Sequence, residues 1–194
     1  SISKNAQLIK DKIGFRSIET KAANILLNGK KIFLKGICLH EEMNGRRANS
    51  AADATKLLQY AKSLGCNYVR LAHYPHNEHM IKKADELGLM VWEEIPVYWT
   101  VDFGNAATYK NAENQLLEMI SRDKNRASVI IWSVANETPS SDARNEFLKN
   151  LVLKTRMTDS SRLVSAALLT RSENGISIID DKMEDWLDII SINQ

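Results

Sequence analysis

The chain has 194 residues, 44% hydrophobic and 26% charged, with a formal net charge of +2. That is the composition of a globular domain able to bury one sizeable core. Its basic residues are scattered, which argues against nucleic acid as a partner, and no apolar run approaches the ~18 residues of a membrane-spanning helix. The N-terminal SISKNAQLIKDK holds no apolar signal core, so the expected location is cytoplasmic, or periplasmic or secreted if a signal peptide has been removed.

In chain order, residues 1–20 read as the end of an all-β neighbour. GFRSIET and NILLNGKKIFLKG alternate as short strands do, and Asn28-Gly29 between Leu27 and Lys30 is a hairpin turn signal. KKIFLKGIC (30–38) is β-rich and apolar. SAADATKLLQYAKSLG then places Ala54, Leu57, Leu58 and Ala61 on one helical face, opened by a Ser50/Asp53 capping box and closed by Gly65. Strand CNYVRLA (66–72), helix NEHMIKKADELG, strand LMVWEEI (89–95) and helix ENQLLEMISRDKN follow. Strand VIIWSVA (129–135), helix DARNEFLKNLVLKTRM and short strands LVSAAL (163–168) and DIISIN (188–193) complete the series.

This alternation predicts βαβ units and a mostly parallel sheet, and near-continuous apolar strands predict that both faces are covered. Cys38 ends one strand and Cys66 begins the next, which puts them at opposite ends of the sheet, roughly 20 Å apart. A disulfide needs Cα atoms within about 7 Å, so both are predicted to be free thiols. There is no CxxC and no HExxH, and no metal site is expected.

In parallel α/β folds the chemistry sits at the carboxyl ends of the strands. Here those ends deliver His40, Glu41 and Glu42; then Arg70, His73 and Tyr74; then Glu93, Glu94, Tyr98 and Trp99; then Asn136 and Glu137; and last Asn193 and Gln194. The opposite ends deliver Leu-Gly and little else. Each residue has a bland reading. A strand-end histidine is usually structural, Glu42 reads as solvated, Trp132 as core, and Arg70 could serve only to pair with Glu137 or Glu94. Of Glu93 and Glu94, at most one can face inward, because successive strand residues point opposite ways. Convergence on one end of the sheet favours function. A carboxylate at the end of a buried strand lies in a low-dielectric mouth, where desolvation raises its pKa as a general acid requires. Asn136 beside Glu137 offers one acceptor and two donors to a sugar hydroxyl. Tyr74, Tyr98, Trp99 and Trp132 could supply flat faces for sugar rings. The chemistry suggested is glycoside hydrolysis.

NGKKIFLKGICLHEE, NYVRLAHYPHNEHMIKKADELGLMVWEEIP and RDKNRASVIIWSVANE together resemble the catalytic (β/α)8 TIM barrel of glycoside hydrolase family 2. That family includes β-galactosidases, β-glucuronidases and β-mannosidases, and GFRSIE resembles its junction with a preceding immunoglobulin-like sandwich. The resemblance covers about residues 14–194, with the best motifs between 28 and 137. It implies hydrolysis of terminal β-glycosidic bonds by a retaining double displacement. By position, Glu137 matches the general acid/base and Asn136 the residue that binds the hydroxyl next to the reacting carbon. Arg70 and His73 match residues lining the sugar subsite, His40 the histidine after strand one, and Glu94 the acidic partner of that arginine; Trp99 is read with the substrate-binding group. The magnesium site of some family galactosidases needs Glu-x-His after strand three, which EEIPVYW lacks, so neither metal nor other cofactor is expected. WEEIPVYW leans toward a galactosidase or glucuronidase.

The resemblance also places the nucleophile, a glutamate, at the end of strand seven, and a retaining pair stands about 5–5.5 Å apart. Residues 21–194 account for about six of eight strands, the N-terminal part of a barrel preceded by the sandwich end at 1–20. The expectation is therefore a piece of an enzyme with little or no turnover alone. Either the natural chain is longer, or the open sheet edges are covered by a homo-oligomer or another chain. The alternative is a non-catalytic carbohydrate-binding or assembly fragment.

Overall fold

The computed structural model describes residues 11–193. Residues 1–10 of the expected sandwich end, and Gln194, lie outside the described residues. Three short antiparallel strands come first: β1 (Ile18–Lys21), β2 (Asn24–Leu27) and β3 (Lys30–Ile32). Asn28 and Gly29, with φ of 51° and 73°, make the β2–β3 turn, as that dipeptide predicts. Next come β4 (Gly36–Leu39), a small hairpin of β5 (Glu42–Met43) and β6 (Arg46–Arg47), α1 (Ala51–Ser63), β7 (Tyr68–Leu71), α2 (Glu78–Leu87) and β8 (Met90–Glu94). The chain continues through α3 (Ala106–Asp123), β9 (Val129–Asn136), α4 (Asp142–Thr158) and β10 (Leu163–Leu168). A second hairpin, β11 (Arg171–Glu173) and β12 (Ile176–Ile178), and a 3-10 turn (Lys182–Asp185) lead to β13 (Ile189–Ile192).

The helices begin where side chains can satisfy their free N–H groups. Ser50 and Asp53 form the reciprocal box on α1, while Asn77, Asn105 and Ser141 cap α2, α3 and α4. Gly88 closes α2 in the left-handed conformation, at φ 65°.

Six strands pair in parallel in the order β4-β7-β8-β9-β10-β13, with α1 to α4 in the first four crossovers. They form an arc of a (β/α)8 barrel. Central β9 is buried along its whole length, whereas edge strands β4 and β13 are partly exposed. On the outer face Leu58, Ile81, Leu116, Leu148 and Trp132 join the helix-side core. On the inner face, at the amino ends, Trp92, Ile131 and Leu163 pack with Ile18, Ile25 and Ile32. The three-stranded sheet thus plugs the barrel base, and each fully buried Ile or Leu side chain there contributes about 1.5–3 kcal/mol. Arg16 pins the incoming chain to the same end, donating to the carbonyls of Val129 (2.5 Å) and Ser161 (3.0 Å). At the opposite, carboxyl end of the sheet the polar strand-end groups gather at the barrel mouth. Cys38 is exposed on β4, Cys66 is buried ahead of β7, and both are free thiols as predicted.

Candidate active site at the barrel mouth

Strand alternation separates the two glutamates at the end of β8. Glu93 faces outward and is buried against α3, with Arg122 Nη2 at 3.2 Å. Burial pushes its carboxyl well above the usual range, and the negative charge of Asp123 adds to the effect. Glu94 faces into the mouth. It accepts from Arg70 Nε (2.8 Å) and Nη2 (3.2 Å), Trp92 Nε1 (2.6 Å) and His73 Nδ1 (2.5 Å). A carboxylate only accepts, so the His73 proton on that side sits on Nδ1. The Ala72–His73 peptide bond is cis.

Arg70, on β7, is the hub. Its guanidinium lies 5.0 Å from the Trp92 ring centroid, at the top of the apolar plug. Besides Glu94 it donates from Nη2 to Asn136 Oδ1 (2.6 Å) and from Nη1 to Asn193 Oδ1 (2.7 Å). Asn193 Nδ2 also donates to Asn136 Oδ1, at 2.8 Å. Two protein donors on one oxygen fix how the Asn136 amide lies. Its Nδ2 makes no hydrogen bond among the described residues and is the donor left for a ligand. A buried charge pair persists only when hydrogen-bonded this completely.

Glu137 follows at φ 50°. Its N–H donates to the Ala167 carbonyl of β10 (2.8 Å), and its Oε2 accepts from Trp99 Nε1 at 3.4 Å. The predicted enclosed carboxylate is instead half-buried, because the left-handed backbone at Glu137 turns it up and out of the sheet. Just beyond, Thr138 Oγ1 accepts from Arg144 Nε (2.9 Å), and the fully buried Arg144 grips Asp181 through two bonds of 2.6 and 2.8 Å. The loop carrying Glu137 is therefore anchored at both ends.

The aromatic groups line one side. His40 is exposed at the end of β4, its ring edge-on to His73 at 5.4 Å; Tyr98 lies 6.0 Å from His73 and Trp99 5.4 Å from Tyr98. Trp132 is not among them. It packs outward, fully buried, and its Nε1 donates to Asp159 Oδ2 (2.9 Å), so it offers no face to a sugar. Tyr74 is tied into the loops by its hydroxyl, which accepts from the Glu41 N–H, and by stacking on His76. Glu41 is buried and accepts from the Asn77 N–H and Arg47 Nη2, whereas Glu42 is exposed as read. Among the described residues no group of three or more His, Cys, Asp or Glu could hold a metal ion.

His73, Arg70, Glu94, Asn136, Glu137 and Trp99 thus meet at one mouth, with His40 beside them. Asn193, named above only as a strand end, and Trp92 belong to the same network, and Arg144 anchors the loop beside it; none of the three was among the expected site residues. Asn193 shared the strand-end signal; Trp92 and Arg144 looked like ordinary strand and helix residues.

The family profile for glycosyl hydrolases family 2, TIM barrel domain, matches residues 18–189. The chain is 30% identical to a β-glucuronidase of Streptococcus agalactiae, a match covering 95% of this chain and 33% of that protein. It is 39% identical to a β-galactosidase of Thermoanaerobacterium thermosulfurigenes over 73% of this chain and 19% of the relative. Among solved structures it superposes on the β-glucuronidase of Ruminococcus gnavus in complex with uronic isofagomine with a TM-score of 0.84 and 27% identity, over 95% of this chain and 33% of that one. A β-galacturonidase of Eisenbergiella tayi bound to galacturonate gives a TM-score of 0.77 and 31% identity, over 81% and 29%. The chain spans about a third or less of the length of these relatives. With the arc of barrel strands and a matching profile over nearly all described residues, the chain belongs to glycoside hydrolase family 2, within its TIM-barrel domain.

Proposed function

We propose that this chain carries the acid/base half of the active site of a retaining β-glycosidase acting on terminal β-glucuronides or β-galactosides. The observation that carries the reading is the adjacency of a half-buried Glu137 carboxylate and an Asn136 amide oriented by Arg70. In the first step a nucleophilic carboxylate attacks the anomeric carbon while Glu137 protonates the glycosidic oxygen, and the C–O bond to the leaving group breaks. In the second, Glu137 takes a proton from the water that displaces the nucleophile, and the sugar leaves with its configuration retained. Asn136 Nδ2 donates to the neighbouring sugar hydroxyl. His73, its Nδ1 committed to Glu94, presents its other nitrogen to the ring. The β-glucuronidase and β-galactosidase relatives support this substrate class.

The nucleophile belongs to barrel strand seven, after β13. Glu41 and Glu94 do not replace it, since protein donors already occupy both. The 194-residue chain alone should release no nitrophenol from nitrophenyl β-glucuronide or β-galactoside; a chain extended through strands seven and eight should. In the extended chain Glu137→Gln should lower turnover of a poor leaving group about 10²–10⁴-fold, with azide restoring part of the rate on an activated glycoside. Turnover by the 194-residue chain that Glu137→Gln abolishes would overturn the placement of the nucleophile. Unchanged activity of the extended Glu137→Gln variant would overturn the acid/base role. The occupied Glu41 and Glu94 are equally compatible with a second reading, a module that holds a glycan without cleaving it; calorimetric binding without turnover in the extended chain would favour it over the glycosidase.

A further inference from the structure

We infer that Trp99, buttressed by Tyr98, is the platform for the leaving group and selects β-glycosides whose aglycone is a planar aryl ring. The inference rests on Glu137 being the acid/base. Trp99 is 64% exposed, although Ile95 and Val97 in the same loop are buried. Its indole edge is bound to the proton-donating carboxylate through Nε1 and Glu137 Oε2. The proton goes to the glycosidic oxygen. In the proposed reading the sugar lies against Asn136, Arg70 and His73, which are held together as one group. The group that leaves must therefore lie toward the indole.

The backbone supports the same assignment. Among the described residues, Asn28, Asn44 and Asn174 hold positive φ directly before a glycine in hairpin turns, and Ala22 holds it, without a following glycine, in the turn between β1 and β2. Trp99 (φ 55°) and Glu137 (φ 50°) hold it outside any hairpin. For a bulky tryptophan this is an outlier, and such conformations cluster where a site over-determines them. The main-chain N–H of Trp99 donates to the Asn136 carbonyl (3.1 Å), which joins the backbone segments that carry the indole and the Glu137 carboxylate. Tyr98 meets the indole edge to face, with the rings at 87°. That contact supports the ring without covering it on every side.

The class of leaving group follows from what the platform can offer. The indole presents a π-face and one N–H, and that N–H is directed at Glu137. A second sugar can also lie on such a face, but hydrogen bonds to its hydroxyls orient it, and the one indole N–H is already taken. A planar aromatic ring needs only the face, against which stacked or edge-on pairs are favourable.

The test uses S-linked ligands, which bind without being cleaved. Dissociation constants of phenyl and methyl 1-thio-β-D-glucuronide and 1-thio-β-D-galactoside would be measured on the 194-residue chain and on the chain extended through strands seven and eight. The phenyl ligand should bind about 3- to 10-fold tighter than the methyl ligand of the same sugar. Trp99→Ala should reduce that ratio to within about twofold, and Trp99→Phe, which keeps a ring but loses the N–H, should preserve most of it. A ratio unchanged in Trp99→Ala, or equal weakening of both ligands, overturns the platform alone. Binding of a thio-linked disaccharide with the same dependence on Trp99 overturns the aryl preference. Failure of both forms of the wild-type chain to bind any thioglycoside overturns the glycosidase reading and this inference with it.

Discussion

Arg70→Met tests the hub of the mouth. Arg70 is 7% exposed and Glu94 1%, so both charges are held away from water. The guanidinium supplies two of the donors to Glu94 and one each to Asn136 and Asn193. Its removal leaves the Glu94 carboxylate buried with only Trp92 and His73 to meet it. Breaking a buried pair from one side costs about 3–5 kcal/mol, against a total stability of about 5–15 kcal/mol for a domain. At about 2–4 °C per kcal/mol for a chain of this size, the thermal midpoint should fall by about 6–20 °C. Glu94→Leu should cost a similar amount by stranding Arg70. The double variant Arg70→Met/Glu94→Leu replaces the pair with apolar groups, which is often near neutral, and leaves the weaker cost of unpaired His73, Trp92 and asparagine groups. It should therefore be clearly more stable than the sum of the singles predicts. Thermal and urea unfolding of the four proteins completes the cycle. A midpoint within about 2 °C of wild type for Arg70→Met, or single effects that add within about 0.5 kcal/mol, would refute the picture of a coupled buried pair.

Four further outcomes follow from particular contacts. Burial and Asp123 hold the Glu93 carboxyl well above its ordinary 4.5, so its contribution is fully present below that unfolded value and is lost as pH rises through the folded one. Glu93→Gln should match wild type in acid and gain in thermal midpoint from pH 5 to 9; a constant difference would mean Glu93 is already ionised at pH 5. Gly36→Ala puts a methyl 2.3 Å from the Tyr68 carbonyl oxygen on the adjacent strand, and overpacking of this kind costs about 1–3 kcal/mol; an unchanged midpoint would mean β4 lies otherwise. Arg144→Lys loses the two-pronged grip on Asp181 and the bond to Thr138, so stability should fall by about 2–4 kcal/mol and, in the extended chain, kcat more than KM; an unaltered midpoint would remove this anchor. Glu41→Ala releases Arg47 and the β5–β6 hairpin, so trypsin should cut at Arg46 and Arg47 faster than in wild type, while Glu41→Gln, which still accepts from Asn77, stays near wild type; equal rates in all three would refute the bracket.

Much of the fold was legible because the barrel strands are apolar, β-branched and set off by Leu-Gly. VIIWSVA predicts a doubly covered strand, and all of β9 is buried. The missed elements lack that apolar signal. Hairpins β5–β6 and β11–β12 turn on Asn44-Gly45 and Asn174-Gly175, the same dipeptide as Asn28-Gly29. Their strands are two or three residues long and mostly exposed, so no hydrophobic run drew attention to them. Helix α3 begins at Ala106 rather than at Glu113, because AATYKNA carries little apolar stripe; the signal lay in Asn105, whose side chain caps the helix.

The site shows more sharply where sequence reasoning stops. Alternation separated Glu94 from Glu93, because β8 is regular at its carboxyl end. The same rule applied to β9 fails at the residue that matters most. Glu94 pairs with Ser133, so Ser133 faces the barrel interior, and a period of two would then turn Ala135 inward and Asn136 out. Instead the register with β10 slips: Ser165 lies opposite Ser133, yet Ala167 lies opposite Asn136. Two residues of β10 span three of β9, the mark of a bulge in β9. The extra residue brings Asn136 to the inner face, where Arg70 and Asn193 bind it. The next residue, Glu137, then takes the left-handed turn that lifts its carboxylate to Trp99. Neighbouring strand residues ordinarily face opposite ways; the bulge and the turn together let an adjacent amide and carboxylate serve one mouth.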